Sequence, residues 1–203
     1  MGHVISFGVD VSEHQDGMSL VRAAAEGIRF AVVRTTDGTY RDRTYRSHID
    51  DALSAGLDVA AYHYLRSPSE GTTVAEQVSA SVSVMGANVV PIWIDCETPA
   101  GLSVADVRAA VSEYRSRGVP VSGVYTYARY WRWRMGNPDS REFGSLWLAN
   151  YGLDIPGTPA EIYRGDSAGV WSRRVGGQSP VMWQFGSNAQ VAGFAVDINA
   201  VRG

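Results

Sequence analysis

The stretch "VVPIWIDCETPAGLSVADVRAAVSEYRSRG", residues 89–118, opens as an almost unbroken apolar run, delivers two acids, and continues into a helix-like segment that ends on glycine. A strand buried on both faces reads as about four to eight consecutive apolar residues. "VVPIWI" fits, with Pro91 confined to the strand's start because proline cannot donate to a sheet ladder. Gly118 stands where the helix would end, a position that favours a residue free to turn left-handed. The unit is the fourth of its kind. "VISFGVDV" with "SLVRAAAEG", "IRFAVVRTT" with "YRSHIDDALSAG", and "LDVAAYHYL" with "TTVAEQVSASVSVMG" come before it, closing on Gly27, Gly56 and Gly86. Successive β-then-α units imply a parallel sheet with right-handed crossovers. Four more strand-like runs follow, "VPVSGVYTY", "GSLWLANYG", "SPVMWQFGS" and "GFAVDINAV", and among them the helices thin out. About eight strands is the number that closes a small barrel. The expected fold class is therefore α/β, a single irregular (β/α) barrel of about eight strands with a reduced number of helices, and residues 1–203 form one domain. The Gly-, Pro- and Ser-rich segment 153–180 reads as a long connection within that barrel.

Asp95 and Glu97 at the end of the buried run need a reason, because an ionised carboxylate taken out of water must pair, bind metal or shift its pKa. In parallel barrels functional groups collect at the carboxyl-terminal ends of the strands. Asp10 ends the first strand and Asp197 the last, which in a closed barrel lies beside the first, so four acids from three strands converge. Alternation along a strand sends Asp95 and Glu97 to one face and Cys96 to the other. Their backbones stand about 6.6 Å apart. Carboxyl groups at about 5–5.5 Å suit retaining glycoside hydrolysis and those at about 6.5–9.5 Å suit inversion, and backbone spacing alone leaves both open. Like charges this close disfavour double ionisation, so one carboxyl can stay protonated as a general acid. Glu97, with the longer side chain, is the candidate, while Asp95, Asp10 and Asp197 would stabilise positive charge developing on a sugar or other substrate group.

Composition narrows the partners. A net charge of −3 and a pI near 5.8 give no general pull toward phosphate backbones, so nucleic acid is not an expected partner. No apolar run approaches the roughly 20 residues of a membrane span. One cysteine excludes an internal disulfide, no Cys/His cluster suggests zinc, and no cofactor is expected. A thiol beside anions is also poorly reactive, which argues against Cys96 as a nucleophile. The amino terminus lacks a basic segment followed by an apolar one, so the expectation is either release from a cell without a signal peptide or a chain that starts after one. Tyr62, Tyr64, Tyr125, Tyr127, Trp147, Tyr151 and Trp183 lie near strand ends and would give flat faces and hydroxyls to a sugar cleft, whereas Trp93 reads as core. "YARYWRWRMG", residues 127–136, reads as a helix or loop carrying Trp131 and Trp133 against the core with solvated Arg129, Arg132 and Arg134. His63 reads as a core histidine, His3 and His48 as incidental, and His14 is left open.

These motifs together resemble the family 25 glycoside hydrolases, the Chalaropsis-type lysozymes that include phage endolysins. "FGVDVSEHQ" is similar to that family's opening D-V-S-x-x-Q, aligning Asp10, Ser12 and Gln15; "PIWIDCE" matches its central D-x-E; "WQFGSNAQVAGFAVDIN" matches its closing W-Q and V-D-x-N. "LDVAAYHYLRS" is similar to its G-x-Y-H-F strand, and "AVVRTTDGTYRD" to K-A-T-E-G-x-x-x-x-D, with Arg34 for the usual Lys and Asp37 for the usual Glu. Arg and Lys differ in reach and hydrogen-bond geometry, so substrate positioning there is open to change. The resemblance implies a TIM-like barrel and cleavage of the β-1,4 bond between N-acetylmuramic acid and N-acetylglucosamine in peptidoglycan. It implies Glu97 as acid/base, Asp95 as its assisting carboxylate, Asp10 and Asp197 completing the cluster, and substrate contacts from Tyr62, Tyr125, Trp147, Tyr151, Trp183, Gln184, Arg34 and Asp37. Attack by an enzyme carboxylate and by the substrate's own acetamido group both predict retention, and the D-x-E arrangement favours the second. The expected protein is a monomer acting on glycan strands of the bacterial cell wall. A chitinase or other N-acetylhexosaminidase with the same acids, a silent wall-binding barrel, and a metal-dependent hydrolase are the alternatives.

Overall fold

A computed structural model describes residues 4–203 of the chain, so His3 lies outside the described residues. Nine strands, β1 (Ile5–Val11), β2 (Ile28–Asp37), β3 (Tyr40–Arg41), β4 (Asp58–Tyr64), β5 (Ile92–Asp95), β6 (Val121–Tyr127), β7 (Ser145–Ala149), β8 (Met182–Val191) and β9 (Phe194–Arg202), form one sheet. Its order is β1-β9-β8-β7-β6-β5-β4-β2-β3, and pairing of β1 with β2 closes eight of them into a barrel, leaving the two-residue β3 as a flap on the end of β2. Pairing is parallel from β1 through β2, β4, β5, β6 and β7 to β8. β9 departs from the all-parallel expectation and runs antiparallel to both β8 and β1. The cause is local: Val191 pairs with Phe194 across Ala192 and Gly193, both at positive φ (51° and 82°). Positive φ at both central residues makes a hairpin turn that matches strand twist, and so short a link can only return the chain antiparallel.

The helices α1 (Leu20–Ala25), α2 (Tyr45–Ser54), α3 (Val74–Met85) and α4 (Val104–Ser116) lie on the outside of the first half of the barrel. α3 and α4 start with reciprocal caps, Thr73 with Glu76 and Ser103 with Asp106, and Gly86 and Gly118 follow their ends at positive φ. Each cap satisfies orphaned N–H groups and contributes about 1 kcal/mol. α4 buries Val107, Ala110, Val111 and Tyr114, the i, i+3, i+4, i+7 stripe of a helix lying on a sheet. Each such valine stabilises the fold by roughly 1.5–3 kcal/mol. No helix among the described residues is long and apolar enough to cross a membrane.

The second half has little helix. After β6 come a π-helical turn (Tyr130–Arg134), a 3₁₀ turn (Ser140–Phe143) and the four-residue α5 (Pro159–Ile162). Here the 153–180 connection covers the barrel wall with aromatic rings: Tyr163 packs on Phe7 and Phe185, both at 5.3 Å between centroids, and Trp171 meets Trp183 edge-on at 5.7 Å. β6 and β7 approach closely at Gly123, where a Cβ would stand 1.9 Å from the Ser145 carbonyl oxygen. Inside the barrel a separate small core of Val32, Trp93, Tyr125, Trp147 and Met182 fills the space beneath the carboxyl-terminal face.

Candidate active site

The acids of the sequence motifs stand on top of that inner plug. Asp10 and Asp197 are opposite each other on β1 and β9. Because β9 runs backwards, it is the early part of the strand that reaches the functional face, so Asp197 sits near its beginning and not at its end as the parallel scheme would require. Asp95 is the last residue of β5, with Glu97 two residues on, and both line the same cleft with Asp10 and Asp197. Cys96 between them faces the wall core, fully buried, as strand alternation demands.

Asp10 is held by a relay of donors. Its Oδ2 accepts from Gln184 Nε2 at 2.8 Å and Asn199 Nδ2 at 2.7 Å. Gln184 Oε1 in turn accepts from the hydroxyls of Tyr125 (2.7 Å) and Tyr151 (2.5 Å), and Asn199 Oδ1 from Trp147 Nε1 (2.7 Å). Those contacts fix both amide orientations so that each NH₂ points at Asp10. Burial raises the Asp10 pKa, while hydrogen bonds from Asn199, Gln184 and Asp197 favour its ionised form. Its neighbour Asp197 is pushed up to about 9 by burial, then by the Asp10 charge and their mutual hydrogen bond. At neutral pH this pair therefore carries one proton, on Asp197, and one charge, on Asp10.

The other pair is less satisfied. Burial, followed by the Glu97 and Asp10 charges, holds Asp95 well above the usual carboxylate range. Among the described residues its Oδ1 is buried with no hydrogen-bond partner. Glu97, partly exposed, is pushed up to about 7 by burial and by the Asp10 charge. A carboxyl with that pKa is present in both protonation states near neutrality, which suits a group that must give and then take a proton.

Glu97 stands where two cavities meet. The acidic one, about 190 Å³, is lined by the four acids with Tyr62, Tyr64, Tyr125, Trp147, Gln184 and Arg34, and the loop after β1 adds Ser12, His14 and Gln15. The second, about 400 Å³, shares Glu97 and Tyr125 and adds Tyr127, Asn150 and Tyr151. Jointly they fall within the roughly 300–1,000 Å³ of small-molecule clefts. Tyr62 and Tyr125 remain neutral donors, since burial and nearby charge raise both pKa values well above normal. Arg34 is anchored by Nε to Asp42 Oδ2 at 2.9 Å, and Asp42 also accepts from the Glu13 and Thr44 backbone N–H groups.

Three expectations require correction. Trp183 does not face the cleft: it lies between Met182 and Gln184, which point into the barrel, so alternation sends it out into the aromatic wall, where its Nε1 donates to the Asn150 carbonyl at 2.9 Å. Asp37 does not line the cleft, because Arg66 grips both its oxygens at 2.5 and 2.8 Å. That contact holds the guanidinium 4.6 Å from the ring centre of Tyr64, which does line it. Trp133 is 81% exposed, whereas Trp131 is buried as expected. Sequence reasoning named Tyr64 only in passing and gave Asn199 no role; both sit two residues from a named site residue on the same strand, Tyr62 and Asp197, and alternation would have found them. His63 is a buried core residue bonded through Nδ1 to the Tyr114 hydroxyl at 2.9 Å, and burial pushes its pKa down to about 4. Among the described residues no group of three or more His, Cys, Asp or Glu is arranged to hold a metal ion.

The family profile described as Glycosyl hydrolases family 25 matches residues 9–194, nearly the whole barrel. The chain belongs to this family. It is 28% identical over 158 residues to an autolytic lysozyme of Clostridium acetobutylicum, covering 75% of this chain and 47% of that one. It is 25% identical over 207 residues to lysozyme M1 of Streptomyces globisporus, covering 95% and 65% respectively, so the chain spans about half to two-thirds of these relatives' lengths. Among solved structures, a muramidase from Trichobolus zukalii superposes with a TM-score of 0.75 at 22% identity, over 98% of this chain and 94% of that one, which establishes that the two share a fold. The family 25 barrel thus carries here all four acids of its D-V-S, D-x-E and V-D-x-N motifs in one cleft.

Proposed function

We propose that this chain is a peptidoglycan-degrading N-acetylmuramidase, hydrolysing the β-1,4 bond between N-acetylmuramic acid and N-acetylglucosamine with retention of configuration. It acts as a monomer on glycan strands of the bacterial cell wall and uses no cofactor. The observation that carries this reading is Glu97, with a pKa of about 7, at the junction of two cavities that would hold the sugars on either side of the cleaved bond.

Protonated Glu97 donates to the glycosidic oxygen as the bond to the anomeric carbon breaks. The carbonyl oxygen of the substrate's 2-acetamido group attacks that carbon, forming a cyclic oxazolinium and releasing the leaving sugar with the proton. Asp95 accepts the acetamido N–H at its unpartnered Oδ1; that hydrogen bond favours its ionised form, whose proton passes to solvent as the sugar binds, and the carboxylate offsets the oxazolinium charge. Ionised Glu97 then takes a proton from water, which attacks the same carbon and restores the acetamide. Burial, and after it the Asp10 charge, keeps the Glu97 pKa high enough to begin the cycle protonated. Tyr62, Tyr125 and Trp147 form the cleft's lining, and Arg34 and Gln184 add polar contacts.

Wild type and Glu97→Gln, compared on purified peptidoglycan with the sugar at each new reducing end identified, test the reading. Muramic acid ends from wild type alone are the expected result. N-acetylglucosamine ends would make the enzyme a glucosaminidase, and no ends from either protein, with binding retained, would make it a silent wall-binding barrel.

A further inference from the structure

Beyond the second cavity the cleft continues into a trough of about 440 Å³, and Tyr151 and Gly152 line both. Its chemistry differs from that of the sugar cleft. Leu153 is 89% exposed and Ile155 54% exposed, with Ile162 on the facing side. Large apolar side chains left in water beside a polar cleft mark a contact surface more often than a structural need. At the junction lies a cation, Arg164. Its Nη2 donates to Asn150, to the backbone carbonyl at 2.8 Å and the side-chain oxygen at 3.3 Å, both neutral acceptors. Its guanidinium carbon is 5.0 Å from the Trp183 ring centre, and among the described residues no carboxylate pairs with it. Gly152 makes room for it: a Cβ there would stand 2.5 Å from Arg164 Nη1.

The acids along the trough are already engaged. Glu161 folds back to accept from the Thr158 backbone N–H at 2.9 Å and its hydroxyl at 2.8 Å. Asp154, at a φ of 46°, accepts from the backbone N–H and hydroxyl of Ser187, each at 2.6 Å, which pins this wall to β8. What remains open is a largely apolar channel, continuous with a sugar cleft, whose two carboxylates are turned to neutral donors of the wall and whose guanidinium stands at the mouth without a carboxylate partner among the described residues.

We propose that the trough holds the peptide attached to the glycan, with Arg164 receiving a peptide carboxylate and Leu153, Ile155 and Ile162 packing on its small apolar side chains. The inference rests on the muramidase reading and extends it: a muramyl sugar in the cleft carries a lactyl-linked peptide with free carboxylates, whereas an unsubstituted chitin-like strand offers neither the apolar groups nor the anion. Arg164 is on this account a specificity-determining residue that leaves the bond-breaking step alone.

The test measures initial rates on intact glycan and on the same glycan stripped of its peptides by an amidase. Arg164→Gln should lower kcat/KM about tenfold on the intact strand, through KM, as expected for one lost charge-assisted hydrogen bond, and leave the stripped strand unaffected. Leu153→Asp, at a site too exposed to disturb folding, should act in the same direction by repelling the carboxylate. Equal losses on both substrates, or no loss on either, would overturn the proposal. A titration with N-acetylmuramyl-alanyl-isoglutamine, read by methyl NMR, needs no turnover. Shifts at Leu153, Ile155 and Ile162 that vanish in Arg164→Gln support the trough, and shifts confined to the acidic cavity, or none, overturn it. Absent reducing ends from wild type would instead refute the muramidase reading, so the two failures are distinguishable.

Discussion

The Asp10–Asp197 pair and the Asp95–Glu97 pair share one pocket, yet the protein treats them differently. Asp10 receives two amide donors whose orientations are themselves fixed by Tyr125, Tyr151 and Trp147, and Asp197 supplies a proton between the strands. Asp95 is left with a buried oxygen unpaired and Glu97 with a pKa of about 7. Buried polar atoms in native proteins are normally satisfied, so an orphan beside a poised acid marks where the substrate completes the network. One pair sets the electrostatic field and the other works in it.

That division can be broken from either side. The largest effect belongs to Glu97→Gln, which removes the proton donor without disturbing the relay: kcat should fall about 10²–10⁴-fold with thermal stability unchanged. A variant that unfolds at a markedly lower temperature would mean that Glu97 is part of the frame. A smaller and more specific effect is expected from Asp10→Asn, which keeps an acceptor for Gln184 and Asn199 but removes the charge that raises the Glu97 pKa. The alkaline limb of the kcat/KM profile, which needs protonated Glu97, should move from about pH 7 to lower pH. An unmoved limb would show that burial alone sets that pKa.

The third test concerns stability. Asp197 holds a proton up to about pH 9 in the fold and releases it near 3.8 when unfolded. Its contribution is therefore fully present below pH 3.8 and is lost as pH rises through about 9. Asp197→Asn should remove that part of the decline, so denaturant midpoints of wild type and variant, measured from pH 4 to 9, should converge or cross as pH rises. Parallel curves would mean that the proton is held elsewhere.

Much of the helical half was legible because its signals are local. A strand's apolar run, a capping residue and a terminal glycine all lie within one unit of about 30 residues, and Gly86 and Gly118 take the conformations their positions imply. The D-x-E motif was legible for the same reason. The aromatic half depends on partners far apart in sequence: Phe7 finds Tyr163 and Phe185, and no local pattern announces that rings will replace helices. β9's direction was a different matter, since the positive-φ turn at Ala192–Gly193 is written in a short Ala-Gly step, but expecting every strand to be parallel obscured it. Trp183 and Gln184 could not both face the cleft as adjacent residues of one strand. The turn of Asp37 away from the cleft is not visible in the sequence, because only the structure reveals Arg66 as its partner.

The seam between β1 and β9 has a consequence in time. Ile5 pairs with Arg202 and Asp10 with Asp197, so the barrel closes by joining the two most distant parts of the described chain. A nascent chain that has emerged only as far as β8 possesses Glu97, Asp95 and Asp10 but lacks Asp197 and Asn199, two of the groups that hold Asp10 in place. The cleft is thus completed only when β9 has joined the barrel, and the acids stand together only after the chain has emerged past Asn199.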